Sequence, residues 1–121
     1  MPFYGGNVTY EVPFATNGGD VSVRVPHYLG AGFKVGVDGN QPVCCAYPPY
    51  QVELGKLPAG DHTLQLTLLG HRCNSFGPVH LADEKHLWIG PFAWRSLGDE
   101  WTDEYRLKQE GVLSAPIIEE K

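Results

Sequence analysis

Apolar and polar residues alternate one for one through run after run of this chain. The clearest case is Leu57-Pro58-Ala59-Gly60-Asp61-His62-Thr63-Leu64-Gln65-Leu66-Thr67-Leu68. A Pro-x-Gly turn leads into a strand with Leu64, Leu66 and Leu68 on one face and Thr63, Gln65 and Thr67 on the other, because strand side chains alternate with period two. The leucine face is expected to be core and the Thr/Gln face surface.

The same period recurs along the chain. Val8, Tyr10 and Val12 share a face, with Thr9 and Glu11 opposite. After the turn cluster Thr16-Asn17-Gly18-Gly19-Asp20, Val21, Val23 and Val25 alternate with Ser22 and Arg24 until Pro26 ends the run. Phe33, Val35 and Val37 come next. Asp38-Gly39-Asn40 predicts a tight hairpin, since Asp, Gly and Asn tolerate the positive φ that such turns need. Val43–Tyr47 returns, Pro48-Pro49 breaks it, and Tyr50, Val52 and Leu54 restart. Gly70–Glu84 is irregular. His86–Trp94 and Tyr105–Leu113 are expected to supply the closing strands. No segment sustains a helical period; Asp99–Gln109 fits one or two helical turns and a strand about equally well. Roughly eight or nine strands at 8–12-residue spacing predict an all-β fold, an antiparallel β-sandwich or jelly roll, over residues 1–121 as one domain.

Several of these segments, in order, resemble the galactose-binding-like, sugar-binding jelly roll attached to many glycoside hydrolases. Phe33-Lys34-Val35-Gly36-Val37-Asp38-Gly39 is similar to that family's strand and turn ending in Val-x-Val-Asn-Gly, with Asp38 in place of the Asn. Pro48-Pro49-Tyr50-Gln51-Val52-Glu53-Leu54 resembles its Pro-Tyr-x-x-Asp-Leu segment. Then follow the Pro-x-Gly-Asp-His-Thr-Leu strand entry and His71-Arg72-Cys73-Asn74-Ser75-Phe76-Gly77-Pro78-Val79-His80, similar to an Arg-Asn-x-x-Gly-Pro-x-His loop. Pro2-Phe3-Tyr4-Gly5-Gly6-Asn7-Val8-Thr9-Tyr10 looks like the entry to such a domain. The match covers roughly residues 2–94. It implies a C-terminal or accessory module of a larger protein, non-catalytic, with a catalytic domain of the same parent chain as its partner. Carbohydrate contact is the further implication, and an independent carbohydrate-binding module is the alternative.

Composition narrows the classes. With 15 Gly and 10 Pro among 121 residues, 42% hydrophobic and 19% charged, the chain matches a turn-rich folded β protein rather than a disordered one. The net charge is −5, and the nine Lys and Arg are scattered, so no basic stripe exists to neutralise phosphates and nucleic-acid binding is not expected. No apolar run reaches the roughly 20 residues that span a bilayer, and the first residues lack a signal-peptide core, so no membrane partner is expected. Cys44, Cys45 and Cys73 are odd in number, and the first two point to opposite strand faces. They read as small packing thiols, with a lean toward a reducing, cytoplasmic compartment.

Candidate chemistry concentrates in the His71–His80 loop. Asn74 offers an amide donor and acceptor, His80 a titratable ring and Phe76 a flat apolar face, the groups that grip sugar hydroxyls and C–H faces. Tyr28, Tyr47 and Trp101 sit beside turns and are stacking candidates, whereas Trp88 and Trp94 are expected in the core. The carbohydrate-contact residues are therefore Asn74, Phe76, His80, Tyr47 and Trp101, weighed against the plainer reading that Asn74 and His80 satisfy loop backbone. Cys45, His71, Cys73, His80 and His86 lack zinc-ligand spacing, and no metal or other cofactor is expected. The acidic pairs Asp83-Glu84, Asp99-Glu100 and Asp103-Glu104 read as solvated faces rather than an opposed catalytic pair, so no enzyme activity is expected. Asn7-Val8-Thr9 fits a glycosylation sequon, a triplet common by chance.

Overall fold

The computed structural model describes residues 2–85, 90–94 and 97–121, without the side chain of Phe92. The chain resolves into two compact units: residues 6–71 with 110–121, and residues 1–5 with 72–109.

The first unit carries all nine strands found among the described residues, and its sheets are antiparallel. Strands β1 (Val8–Thr16), β2 (Gly19–Arg24), β3 (Tyr28–Leu29), β4 (Gly32–Val37), β5 (Val43–Cys45), β6 (Gln51–Leu57) and β7 (Gly60–Leu69) precede β8 (Gly111–Val112) and β9 (Ile117–Glu120). One sheet runs β1-β7-β4-β5, a second β6-β2-β9, and β3 pairs with β8 as a two-stranded ribbon. The result is an all-β, sandwich-like fold.

The period-two pattern puts the core where the leucines and valines alternate inward. Leu64, Leu66 and Leu68 are at most 1% exposed, while Thr63, Gln65 and Thr67 on the other face are only half-buried. Phe33, Val35 and Val37 of β4 pair with Leu68, Leu66 and Leu64 and so share their face. Val23 and Val25 in and just beyond β2, and Val52 of β6, close the same cluster from the second sheet. The outer face is polar and local: Thr9 and Thr67 hydroxyls meet at 2.9 Å. Ser22 is buried on the outer face of β2, where the Gln51 amide donates to its hydroxyl at 3.3 Å.

Turn chemistry sets the registers. Asp38 and Gly39 have φ of 52° and 76°, and the Asn40 N–H donates to the Val37 carbonyl at 2.9 Å, which is the tight turn with positive φ that the sequence calls for, between β4 and β5. In β6 the pairing with β2 slips between Val21 and Ser22, leaving Leu54 as the extra residue beside Gly55 at φ 76°. Cys45 pairs with Phe33 and packs toward the core, while Cys44 pairs with Lys34 and is exposed, so the two thiols do face opposite ways.

The closing strands differ from expectation. Tyr105–Lys108 is not a strand; β8 is only Gly111–Val112, and the last strand is β9, which the sequence reading did not mark. Ile118 pairs with Val23 and packs on the core, but four residues after Pro116 give too short a run for alternation to register. His86–Ile89 of the other expected strand lies outside the described residues, and Pro91–Trp94 is a 3-10 turn, with the Ala93 N–H donating to the Gly90 carbonyl at 3.0 Å. Pro91 has no N–H to give a ladder but fits a helical start.

One ion pair ties the β4–β5 hairpin to β7. His62 Nδ1 lies 2.6 Å from Asp38 Oδ2, and its Nε2 lies 2.9 Å from the Pro58 carbonyl. The other Asp38 oxygen accepts from the Thr63 N–H at 2.8 Å. Both ring nitrogens face acceptors, so only the doubly protonated imidazolium donates to both. The hydrogen bond that the His62 ring donates to Asp38 raises the His62 pKa above its ordinary 6.5, aided by the Pro58 carbonyl. The same bond, with the Thr63 N–H, holds Asp38 below its ordinary 3.8. The His62 contribution to stability is therefore complete below pH 6.5 and fades as pH rises through the folded-state value. The Asp38 contribution is complete above 3.8 and fades as pH falls through its own lowered value. An NMR titration is expected to put His62 above 6.5 and Asp38→Asn to bring it down. A His62 that titrates at or below 6.5 in the unaltered protein would overturn this assignment.

Candidate functional site

The second unit is built around a loop rather than a sheet. Arg72 adopts φ 59° and opens a single helical turn, α1 (Cys73–Phe76), closed by the Phe76 N–H donating to Arg72 O at 3.0 Å and the Gly77 N–H to Cys73 O at 2.8 Å. A Cβ on Gly77 would fall on the Cys73 carbonyl oxygen, so this close turn requires glycine. The chain then runs back beside residues 100–106. The Ala82 N–H donates to Glu100 O at 2.9 Å, Thr102 N–H to His80 O at 3.0 Å and Arg106 N–H to Val79 O at 2.7 Å.

Asn74 takes the place of a strand partner. Its side-chain Nδ2 donates to the Lys108 carbonyl and its Oδ1 accepts from the Lys108 N–H, both at 2.8 Å. The residue is 8% exposed, and its amide is committed to backbone. Tyr105–Lys108 accordingly joins no sheet: its backbone bonds to one carbonyl of the loop and to one amide side chain.

His80 lies in a small aromatic stack. Its ring is 4.2 Å from the Trp101 ring, nearly parallel at 22°, and 4.7 Å from Tyr105 at 43°. Phe3 packs its edge on Tyr105 at 4.9 Å. His80 Nδ1 is 2.9 Å from the Thr102 carbonyl, so that nitrogen carries the proton and Nε2 is left as the acceptor in the neutral ring. The Trp101 indole N–H donates to Asp103 Oδ1 at 2.9 Å, which fixes the indole in its plane. Trp101 remains 40% exposed and Trp94, expected in the core, is 55% exposed. The two border a hollow of about 220 Å³ with His80 and Leu81.

A second hollow of about 360 Å³ is lined by Leu81, Asp83, Glu84, Tyr105, Arg106 and Lys108, among others. Arg106 Nη1 bridges Glu84 Oε1 at 2.5 Å and Glu104 Oε2 at 3.3 Å. Pro78 and Leu81 line both hollows.

Of the five residues singled out by sequence, four fall in this unit. His80 and Trp101 are stacked together, Asn74 holds Lys108, and Phe76 is 70% exposed on α1. Tyr47 belongs to the sandwich unit, beside the Pro48-Pro49 break, and is 81% exposed. Tyr28 packs edge-on against Phe33 and Tyr50, and burial raises its pKa, so its ring serves the core margin instead of a platform. Trp88 and His86 lie outside the described residues. Of the acidic pairs, Asp103-Glu104 splits its contacts, Asp103 holding Trp101 and Glu104 pairing with Arg106, whereas Asp83 and Glu84 line one hollow together. Sequence reasoning missed Arg106 and the exposure of Trp94. The only available signal for Arg106 was a lone cation placed two residues after an acidic pair.

Among the described residues no three His, Cys, Asp or Glu side chains converge to hold a metal ion, and no helix is long and apolar enough to cross a membrane. No family model, curated protein or solved structure matches the chain.

Proposed function

We propose that this chain is a non-catalytic accessory module of a glycoside-hydrolase-like protein, a galactose-binding-like jelly roll that contacts carbohydrate and packs on a catalytic domain of the same parent chain. In this reading the β sandwich is scaffold and residues 72–109 carry the working surface. The observation that carries it is the exposure of aromatic rings in that unit: Trp94, Trp101, Tyr105 and Phe76 are each between 40% and 70% exposed. Rings held open to solvent lack the burial that normally recruits them. They are the side chains that stack on sugar C–H faces and that anchor protein interfaces.

Carbohydrate contact is best supported at the Trp94–Trp101 hollow. Trp101 is fixed twice, by Asp103 on its N–H and by His80 on its face, so a sugar stacking there meets a ring already in place. Docking to a catalytic domain is supported by Phe76 and by Leu97, 70% and 81% exposed, since exposed apolar side chains grouped in one unit mark interaction surfaces.

Calorimetric titration with a panel of neutral oligosaccharides tests the first contact. Binding is expected to weaken by roughly tenfold or more in Trp101→Ala, given about 0.5–1.5 kcal/mol for an aromatic stacking geometry plus the area it covers. No binding by the intact protein at millimolar oligosaccharide would remove the carbohydrate reading and leave docking alone. Turnover of aryl glycosides by the purified chain would overturn the non-catalytic assignment.

A further inference from the structure

We infer that the 360 Å³ hollow beside Arg106 is a binding site for one neutral, polyhydroxylated ring, a single sugar unit held by its hydroxyls. The inference rests on the carbohydrate reading above and adds a second subsite to it, distinct in chemistry from the tryptophan hollow.

The volume falls within the range of small-molecule sites. Its wall carries both signs. Asp83 and Glu84 bring two carboxylates from one segment, and Arg106 and Lys108 bring a guanidinium and an ammonium from the other. A net anion in this space would meet two carboxylates, and a net cation would meet a guanidinium and an ammonium. A hydroxyl group meets neither penalty, because it donates to a carboxylate and accepts from a cation at the same time. A ring bearing several hydroxyls therefore uses the whole wall, and it presents C–H faces to Leu81 and Tyr105.

The polar groups are also held in advance. Arg106 is pinned through its backbone N–H to Val79 O at 2.7 Å and through Nη1 to Glu84 and Glu104. Its Nε is enclosed with no hydrogen-bond partner among the described residues. Lys108 has its backbone clasped by Asn74, while its ammonium makes no ion pair with any described residue and is available to a ligand oxygen. Pro78 and Leu81 line both hollows, so a glycan that stacks on Trp101 has this pocket as the neighbouring place for its next unit.

The test is a ¹⁵N NMR titration of the whole chain with galactose, glucose, mannose and xylose, each raised to on the order of 10 mM because single-sugar affinities in the millimolar range are expected. Saturable shifts of the Arg106 Nε–H and of the Leu107 and Lys108 amides are expected with at least one sugar. Lys108→Gln, which removes an unpaired surface charge and so should leave the fold intact, is expected to weaken that binding by roughly tenfold, the loss of one charge-assisted hydrogen bond. Glu84→Gln is the second variant, and it should weaken binding similarly. Trp101→Ala should leave the single-sugar shifts at Arg106 in place while weakening oligosaccharides. If oligosaccharides bind through Trp101 but no single sugar shifts Arg106, this subsite is wrong and the carbohydrate reading survives. Lysine and acetate serve as controls; saturable binding of either at Arg106 in preference to the sugars would overturn the neutral-polyol assignment.

Discussion

Replacing Phe33 with alanine is expected to cost about 3–5 kcal/mol, the usual range for removing a buried aromatic side chain. Phe33 is fully buried in β4, between Leu68 of β7 and Cys45 of β5, with the edge of Tyr28 packed on it at 5.1 Å. The lost transfer free energy and the cavity left behind both count, because β4 has neighbours on each side and cannot collapse inward. Total stability for a domain of this kind is about 5–15 kcal/mol, so the variant would sit near the edge of folding at 37 °C. Urea unfolding should show the midpoint moving sharply with little change in slope. Thr67→Ala is the contrast. It sits on the opposite face of the neighbouring strand and loses only an exposed hydroxyl pair with Thr9, so a change within about 0.5–1 kcal/mol is expected. Equal losses in the two variants would mean that the alternation in β4 and β7 does not define the core.

The contrast between those two residues also marks how far the sequence could be read. Leu64, Leu66 and Leu68 declare their face because a strand's side-chain period is two and one face is wet. Asp38-Gly39 declares its hairpin because few residues accept two positive φ values in succession. These are local rules, and they recover the all-β character and most strand positions. What the sequence withheld depends on partners far along the chain. Tyr105–Lys108 alternates like a strand, yet it is bonded by Val79 O and by the amide of Asn74, 34 residues before Lys108. Trp94 looks like a core residue by composition and is open to solvent, because the unit it belongs to has few buried apolar side chains to receive it; Ala93 is the buried hydrophobic there among the described residues. His80 was legible as a residue of interest. Its stack with Trp101 was not, since the two lie 21 positions apart in the sequence and no periodicity links them.

Asn74→Ala is expected to open the 72–109 unit while leaving the sandwich folded. The substitution strands both the N–H and the carbonyl of Lys108, and each buried polar group left unpaired costs about 1–3 kcal/mol. Water recovers part of that at Lys108, which is exposed as a residue, so a local loss of about 2–4 kcal/mol is the working figure. Hydrogen exchange should report it directly. The amides of Arg106 and Lys108 are expected to exchange tens- to hundreds-fold faster, as local free energies of this size imply, while Leu64, Leu66 and Leu68 keep their protection. Asn74→Asp should not rescue, because a carboxylate still accepts from the Lys108 N–H but sets a second negative oxygen against its carbonyl. The alternative, in which Asn74 serves a sugar through its amide, makes the opposite pair of predictions. Sugar binding would fall and exchange at Lys108 would stay unchanged. The 2.8 Å contacts on both sides of the amide favour the clasp, because a group already bonded at its donor and its acceptor has to break a backbone contact before it can bind anything else.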